Sequence, residues 1–252
     1  MADETRHLRD AVVDGVVSAV EKHWQFSKKS FDVRPEYLLT VAIAESLSDG
    51  FDGRSGLEAE ILLEEPTWSV IFNLVGEPLG LSSWLRIKSI VNQRNKIKKD
   101  LDSAMKKRLG AETVDELRIQ LENLENRLAD EPWIDIGRHG RVDIFLSAPA
   151  EYRSVVEVKG FDPASALIES DLRRIRELFS LNSGNNSLAR GFVVFPSVQD
   201  RTTDITNAIQ AVFGLSSLNS LLHRRSVETG EDSADGIPAY VVNIVEVSRA
   251  TT

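Results

Sequence analysis

Two short apolar runs near the middle of the chain carry charged side chains at a regular spacing. Residues 142–146 and 154–158 are separated by a Pro-containing polar connection. This pattern is typical of two strands joined by a hairpin loop. Because side chains alternate faces along a strand, Asp143 lies on the face opposite its apolar neighbours, and Glu157 and Lys159 point together from the second strand.

The symmetry of the hairpin predicts that its two carboxylates meet. Positions 143 and 157 are equidistant from Ala150, so a hairpin folded about Ala150 sets Asp143 directly across from Glu157. Directly opposed residues have Cβ atoms roughly 5 Å apart, and like charges so placed destabilise a sheet. A hard cation removes the conflict, because Mg²⁺ is held by one or two carboxylates with waters and substrate phosphate oxygens. We therefore expect Asp143 and Glu157 to hold Mg²⁺ or Mn²⁺.

Lys159 adds a positive charge beside the two predicted metal ligands. Its amine could orient or deprotonate an attacking water, or stabilise the charge that builds on a phosphate. The alternative is an exposed hairpin edge with solvated charges, because Glu-x-Lys occurs by chance in many proteins. The register and the apolar flanks favour the catalytic interpretation.

The hairpin resembles the core of the restriction-endonuclease-like nucleases, the PD-(D/E)xK superfamily. Arg141-Val142-Asp143, followed by Glu157-Val158-Lys159 at the end of a second strand, matches the motif of that family. Val142 replaces the Pro usually found there, and the resemblance covers residues 135–196. It implies that the carboxylates at 143 and 157 bind a divalent metal and that the lysine at 159 is catalytic.

The resemblance also implies a further catalytic Glu on a helix that precedes the hairpin. A helix is predicted from Pro35 to about Leu47, since Pro is favoured at a first helical turn. Glu36 is the first choice, and its alternative role is favourable placement near the positive end of the helix dipole. The other candidates, in order of preference, are Glu45 and then Glu58 or Glu60.

The composition limits the classes of function. The 252 residues contain no cysteine, which excludes disulfides, thiolate nucleophiles and Cys-based zinc sites and suits a reducing cytoplasm. No apolar run reaches the length of about 20 residues that spans a bilayer, and the charged start is unlike a signal peptide. The net charge of −9 disfavours non-specific nucleic-acid binding. Basic residues are nevertheless concentrated between Arg86 and Arg108.

The basic segment belongs to a predicted helical hairpin over residues 85–128. Five apolar residues of its second helix alternate spacings of three and four, as in a coiled-coil seam: Val114, Leu117, Leu121, Leu124 and Leu128. Ile87, Ile90, Ile97, Leu101 and Met105 supply an imperfect partner seam. Gly110 is expected to end the first helix, and Thr113 with Glu116 to cap the second.

Two functions are open for this hairpin. Its lysines could contact DNA phosphates or form a solvated face, and residues 85–130 could also bind a second copy or a partner protein. An adaptor built on this coiled coil alone would leave the Asp, Glu and Lys cluster unexplained. The candidate DNA contacts are Lys96, Lys98, Lys99, Lys106 and Lys107, with Arg174 after the core hairpin.

The remaining elements follow from periodicity. Helices are predicted over 3–27, 57–63 and 204–224, and 68–75 fits either a strand or a buried helix. Asp162-Pro163 is expected to cap a helix whose apolar stripe is Ile168, Leu172, Ile175 and Phe179. Residues 191–195 are predicted to form a central strand parallel to the one bearing Glu157, and 240–247 a final strand. Loops are expected at 49–56, 182–187 and 228–236.

His139, next to Gly140, is the histidine nearest the predicted site. It could ligate metal or touch substrate, and a turn position explains it equally well.

The sequence as a whole predicts an α/β fold. We expect a mixed sheet centred on a β-hairpin and flanked by helices, restriction-endonuclease-like, with a helical-hairpin insertion. The expected divisions are 1–84, an N-terminal helical part; 85–130, the insertion; and 131–252, the catalytic core. The expected activity is Mg²⁺-dependent hydrolysis of DNA in restriction, defence or repair, and the DNA is expected to be double-stranded. The alternative is a non-catalytic module on the same fold that binds nucleic acid or protein.

Overall fold

The structure is a computed structural model that describes residues 2–27, 36–52, 59–76, 81–108, 110–129, 140–148, 152–181, 188–228 and 239–249. The chain divides into two compact units. The first unit contains the sheet and the helices packed on it. The described part of the second unit comprises residues 71–76, 81–108, 110–129 and 180–181.

The secondary structure confirms the α/β class. The first half contains α1 (Ala2–Ser27), α2 (Glu36–Asp52), β1 (Glu60–Pro66), α3 (Thr67–Ile71) with a π-helical turn (Phe72–Gly76), α4 (Leu81–Lys106) and α5 (Ala111–Ala129). The second half contains β2 (Arg141–Ser147), β3 (Ser154–Val158), α6 (Ser165–Ser180), β4 (Arg190–Ser197), α7 (Thr202–Phe213), β5 (Leu218–Glu228) and β6 (Ala239–Arg249).

The six strands form one mixed sheet in the order β1-β2-β3-β4-β6-β5. The β3–β4 pair is parallel and the other four pairs are antiparallel. A parallel pair needs a crossover between its strands, and α6 supplies it. The predicted central strand at 191–195 and its parallel orientation are confirmed. All five residues of β3 are buried, as expected for a strand covered on both faces.

Helices α1 and α2 cover one face of the sheet. Their apolar side chains form one core with alternate residues of the strands, among them Ile144 of β2 and Val156 of β3. The two helices approach closely at Gly15, where an added Cβ would stand 2.5 Å from the Cα of Ile43. The absence of a side chain at Gly15 therefore permits this helix–helix distance.

Helix α6 covers the opposite face, where Glu157 lies. The four residues of its predicted stripe are all buried. Gly191 of β4 lies under the helix, and an added Cβ there would stand 2.4 Å from Cγ2 of Ile175. The predicted cap of this helix is wrong, because Asp162 lies three residues before its start with a φ of 45° and accepts hydrogen bonds from the backbone N–H groups of Val198 and Gln199.

The second unit contains the predicted helical hairpin. The five seam residues of α5 are buried or half-buried, and every other residue of that helix is exposed. On α4 the prediction fails for Met105, which is 54% exposed, whereas Ala104 is buried. The predicted caps are also wrong. α4 ends at Lys106 with Arg108 at a φ of 53°, and α5 begins at Ala111, before Thr113.

Long-range strand pairing overrides two helix predictions. Residues 60–66 form the edge strand β1 on β2, although a helix was predicted over 57–63. Residues 218–228 form the edge strand β5 on β6, so the helix predicted over 204–224 is confirmed only as far as Phe213, the end of α7. The ambiguous segment 68–75 is helical, and α2 continues to Asp52, past the predicted start of a loop. The predicted loop at 182–187 lies outside the described residues.

No described helix combines the length and the apolar character needed to cross a membrane.

Candidate functional site

The hairpin has the predicted register. Ile144 pairs with Val156, and the next two pairs toward the loop keep the same symmetry about position 150. Next to Ile144, on the side away from the loop, the two strands are joined by a side chain. Oδ2 of Asp143 accepts a hydrogen bond of 2.6 Å from the backbone N–H of Val158. The start of β2 is thereby tied to the end of β3, and Asp143 is held on the same face as Glu157.

Glu157 is completely buried and is paired with a cation. Nη1 of Arg174 donates to both carboxylate oxygens, at 2.8 and 2.9 Å, and to the backbone carbonyl of Arg141 at 3.0 Å. Burial raises the pKa of Glu157 to about 8, against the lowering effect of the Arg174 guanidinium. The alternative interpretation of an exposed hairpin edge with solvated charges is therefore wrong. Arg174, a candidate DNA contact, is engaged with Glu157 in this structure, and its contact with DNA stays a prediction.

Lys159 lies between two further carboxylates. Its Nζ is 3.0 Å from Oδ2 of Asp171 and 4.0 Å from Oδ2 of Asp143, and it donates to the backbone carbonyl of Val158 at 3.0 Å. Burial lowers the pKa of Lys159, but the charges of Asp171 and Asp143 outweigh it and the net pKa is raised. The amine is therefore protonated at neutral pH. A protonated amine can orient a water or stabilise negative charge, but it cannot accept a proton.

Asp171 is the residue that the sequence analysis missed. It lies on α6 among the buried residues of the apolar stripe and is only 4% exposed. Burial raises its pKa, and the adjacent Lys159 ammonium opposes that rise. The available signal was an acidic residue three positions after Ile168, inside an otherwise apolar helix face, and three positions before Arg174.

Of the three candidate upstream glutamates that the structure describes, one lies at the site. Glu36, the first residue of α2, accepts a hydrogen bond of 3.4 Å from the backbone N–H of Gly160, and its charge contributes to raising the pKa of Asp143, for which burial is the main cause. Glu45 instead pairs with Lys22 of α1 at 3.6 Å. Glu60 pairs with Ser147 at the far end of β2.

Glu58 and His139 lie outside the described residues. Their predicted roles therefore have no structural description.

The residues of the site offer the type of ligand atom that a hard divalent cation requires. Asp143 and Glu157 offer carboxylate oxygens, the ligand type that Mg²⁺ prefers, and one or two such ligands suffice when waters and phosphate oxygens complete the shell. In the described part of the chain, no three His, Asp or Glu side chains are grouped as a ready metal site. Arg174 holds both oxygens of Glu157, so a cation ligated by that carboxylate would share it with Arg174 or displace the guanidinium.

The candidate DNA contacts of the second unit comprise one lysine in an ion pair and four exposed lysines. Lys98 forms an ion pair with Glu125 of α5, at 3.2 Å. The other four lysines are exposed and lie along α4 and just after it: Lys96, Lys99, Lys106 and Lys107. The exposed lysines remain available to phosphates, whereas Lys98 helps to hold the two helices together.

The chain matches no protein-family model, no curated protein and no solved structure. The membership in the nuclease superfamily that the hairpin motif implies stays a prediction.

Proposed function

We propose that this protein is a metal-dependent nuclease that hydrolyses DNA phosphodiester bonds on a restriction-endonuclease-like fold. The observation that carries the proposal is the convergence of Asp143, Glu157 and Lys159 on one sheet face. They come from adjacent ends of β2 and β3, and the lysine amine lies 4.0 Å from the Asp143 carboxylate. The hairpin belongs to a six-stranded mixed sheet with helices on both faces, an architecture that supports the fold implied by the motif.

The energetic cost of the cluster supports a functional origin. Glu157 is fully buried, Asp171 is 4% exposed, and the Lys159 side chain is 16% exposed. Buried ion pairs often contribute less stability than apolar side chains of similar volume, because desolvation of the charges offsets their attraction. Natural sequences retain such costs mainly where a site needs them, and perturbed pKa values concentrate at active sites.

Each residue has a role that its surroundings define. Asp143, fixed by the Val158 N–H, and Glu157 would hold the cation, and Lys159 would present a permanent positive charge to the attacking water and the phosphate. Glu36, next to Gly160, would assist by orienting water. A divalent cation bound by the two carboxylates would supply further positive charge against the phosphate oxygens.

The proposed substrate is double-stranded DNA, in restriction, defence or repair. The exposed lysines of α4 supply a basic surface on a protein whose net charge is −9. Such a surface binds the phosphate backbone without reading the bases, so it would contribute affinity and a strong dependence on salt. The same helical hairpin could instead bind a second copy of the chain or a partner protein.

A specific observation favours a second candidate, a non-catalytic nucleic-acid- or protein-binding module on the same fold. Glu157 is paired with Arg174 and Lys159 with Asp171, so each of these two carboxyl groups already has a cationic partner without a metal. A cluster closed in this way would tie α6 to β3 and need no substrate.

Cleavage assays separate the two candidates. Purified protein is incubated with supercoiled plasmid and with linear single-stranded DNA, in Mg²⁺, in Mn²⁺ and in EDTA. We expect metal-dependent cleavage that Asp143→Asn and Lys159→Met each abolish, because the first removes a charged ligand and the second the cation. Glu169→Gln is the control, since Glu169 pairs with Arg173 on the same helix, outside the cluster.

The result has two clear contrary outcomes. Full activity in either site variant, with the control also active, would refute the nuclease proposal. A wild-type protein that binds DNA but leaves it intact in both metals would establish the binding module instead.

A further inference from the structure

Two oppositely oriented ion pairs connect α6 to β3. Glu157 lies on β3 and Lys159 directly follows that strand; the two are two residues apart and share a face. On α6, Asp171 and Arg174 are three residues apart and also share a face. Arg174 pairs with Glu157 at 2.8 Å, and Asp171 pairs with Lys159 at 3.0 Å. Both segments carry the acid before the base along the chain, so each acid meets the base of the other segment because the first residue of one pairs with the second residue of the other.

The surroundings of Asp171 disfavour a charged carboxylate, and Lys159 is its nearest cation. It lies on the sheet-facing side of α6, where its neighbours Ile168, Leu172 and Ile175 are completely buried. Burying a carboxylate in such surroundings is costly unless a cation is held beside it. A pair of apolar side chains at 159 and 171 would fill the same space without that cost, so stability alone does not account for this ion pair.

Asp171 also controls where the Lys159 amine points. A lysine side chain has four rotatable bonds, and the ammonium is a flexible point charge that takes its position from its partners. Asp171 lies closer to Nζ than Asp143 does, at 3.0 Å against 4.0 Å. The shorter contact holds the amine near Asp143 but not in direct contact with the Asp143 carboxylate. Oδ2 of Asp143 accepts a hydrogen bond from the backbone N–H of Val158.

We infer that Asp171 is a positioning residue of the nuclease site: its carboxylate, on the helix after the hairpin, holds the Lys159 ammonium in place beside Asp143. This inference rests on the proposed function. Asp171 acts through Lys159 and has no contact with the substrate of its own. The mispositioning of a catalytic group by about 1 Å can cost on the order of 100-fold in rate, so loss of Asp171 is expected to lower kcat far more than it changes KM.

The test compares three variants with the wild-type protein in the metal-dependent cleavage assay. For Asp171→Asn we expect kcat to fall on the order of 10- to 100-fold with KM within about twofold. Asp171→Glu keeps the charge on a longer side chain and should recover part of the lost kcat. Glu169→Gln, on the same helix but outside the cluster, should leave both constants unchanged. A wild-type kcat in Asp171→Asn would overturn the inference.

A stability measurement covers the case in which Asp171→Asn does not fold. The double variant Lys159→Met with Asp171→Leu replaces the ion pair by apolar side chains. If the pair exists to position the amine, this variant folds with a Tm at or above that of the wild type and is inactive. A double variant that unfolds or melts well below the wild type would show that the pair is structural, and would overturn the inference.

Different results would refute the proposed nuclease activity and the positioning role of Asp171. A wild-type protein with no cleavage refutes the proposed nuclease, whereas an active wild type with an unaffected Asp171→Asn refutes only the positioning role.

Discussion

The buried carboxylate of Glu157 gives a prediction about stability and pH. Burial raises its pKa from an ordinary value of 4.5 to about 8. Between these two values the folded protein binds a proton that the unfolded chain has released, so the free energy of unfolding falls as pH rises. The slope is about 1.4 kcal/mol per pH unit. The loss begins near pH 4.5, reaches about 3 kcal/mol at pH 7 and levels off at about 5 kcal/mol above pH 8.

Glu157→Gln isolates this contribution, because the glutamine has a similar shape and no proton to lose. Arg174 stays protonated over this range in both proteins, and its attraction to the ionised carboxylate is already part of the pKa of about 8, so the remaining difference between the two proteins does not change with pH. All other titrating groups are shared by the two proteins. We therefore expect the variant to gain stability relative to the wild type by about 1.4 kcal/mol per pH unit from pH 5 to pH 8, with no further gain above it.

Urea unfolding of both proteins in EDTA at five pH values from 5 to 9 measures the difference directly. EDTA is needed because a bound cation would favour the ionised carboxylate. A difference that stays constant across the whole range would refute the reasoning. It would mean that the two hydrogen bonds from Arg174 keep Glu157 ionised throughout, in spite of its burial.

Two further predictions concern helix packing and the basic helix. Gly15→Ala should destabilise the protein by at least about 2 kcal/mol in urea unfolding, because the added Cβ would overlap the backbone of Ile43. Gly50→Ala is the control, since its Cβ would be 3.8 Å from the nearest side chain. Equal effects of the two substitutions would contradict the packing argument. Charge reversal on α4 should reduce the slope of log K for DNA binding against log salt concentration by about 0.9 for each lost phosphate contact on duplex DNA. Lys22→Glu on α1 is the control and should leave the slope unchanged. An unchanged slope in the α4 variants would assign these lysines to solvent. The residues to reverse are Lys96, Lys99 and Lys106.

The sequence was sufficient wherever the structure depends on local periodicity. Alternation along two apolar runs predicted strands β2 and β3, the face of Asp143 and the register about position 150, because side chains in a strand repeat every two residues. The spacing of Ile168 to Phe179 predicted the buried face of α6. The seam of α5 followed in the same way from spacings of three and four.

The two edge strands, β1 and β5, could not be predicted from local sequence patterns. Residues 60–66 and 218–228 became strands because β2 and β6 offered them unpaired backbone groups, and nothing in their own sequence reports that partner. Intrinsic strand preference depends strongly on such context.

The chemistry of the candidate site is divided in the same manner. The sequence by itself determined that Asp143, Glu157 and Lys159 share one face, since the hairpin is a local structure with a short connection. Only the tertiary structure decided their electrostatic state. The crossover through α6 places Arg174 on Glu157 and Asp171 on Lys159, and it buries the two carboxyl groups while leaving the two cations half-buried. Ion pairs between distant segments depend on how a helix packs on a sheet, and helical periodicity specifies the buried face of the helix but not its position along the strand.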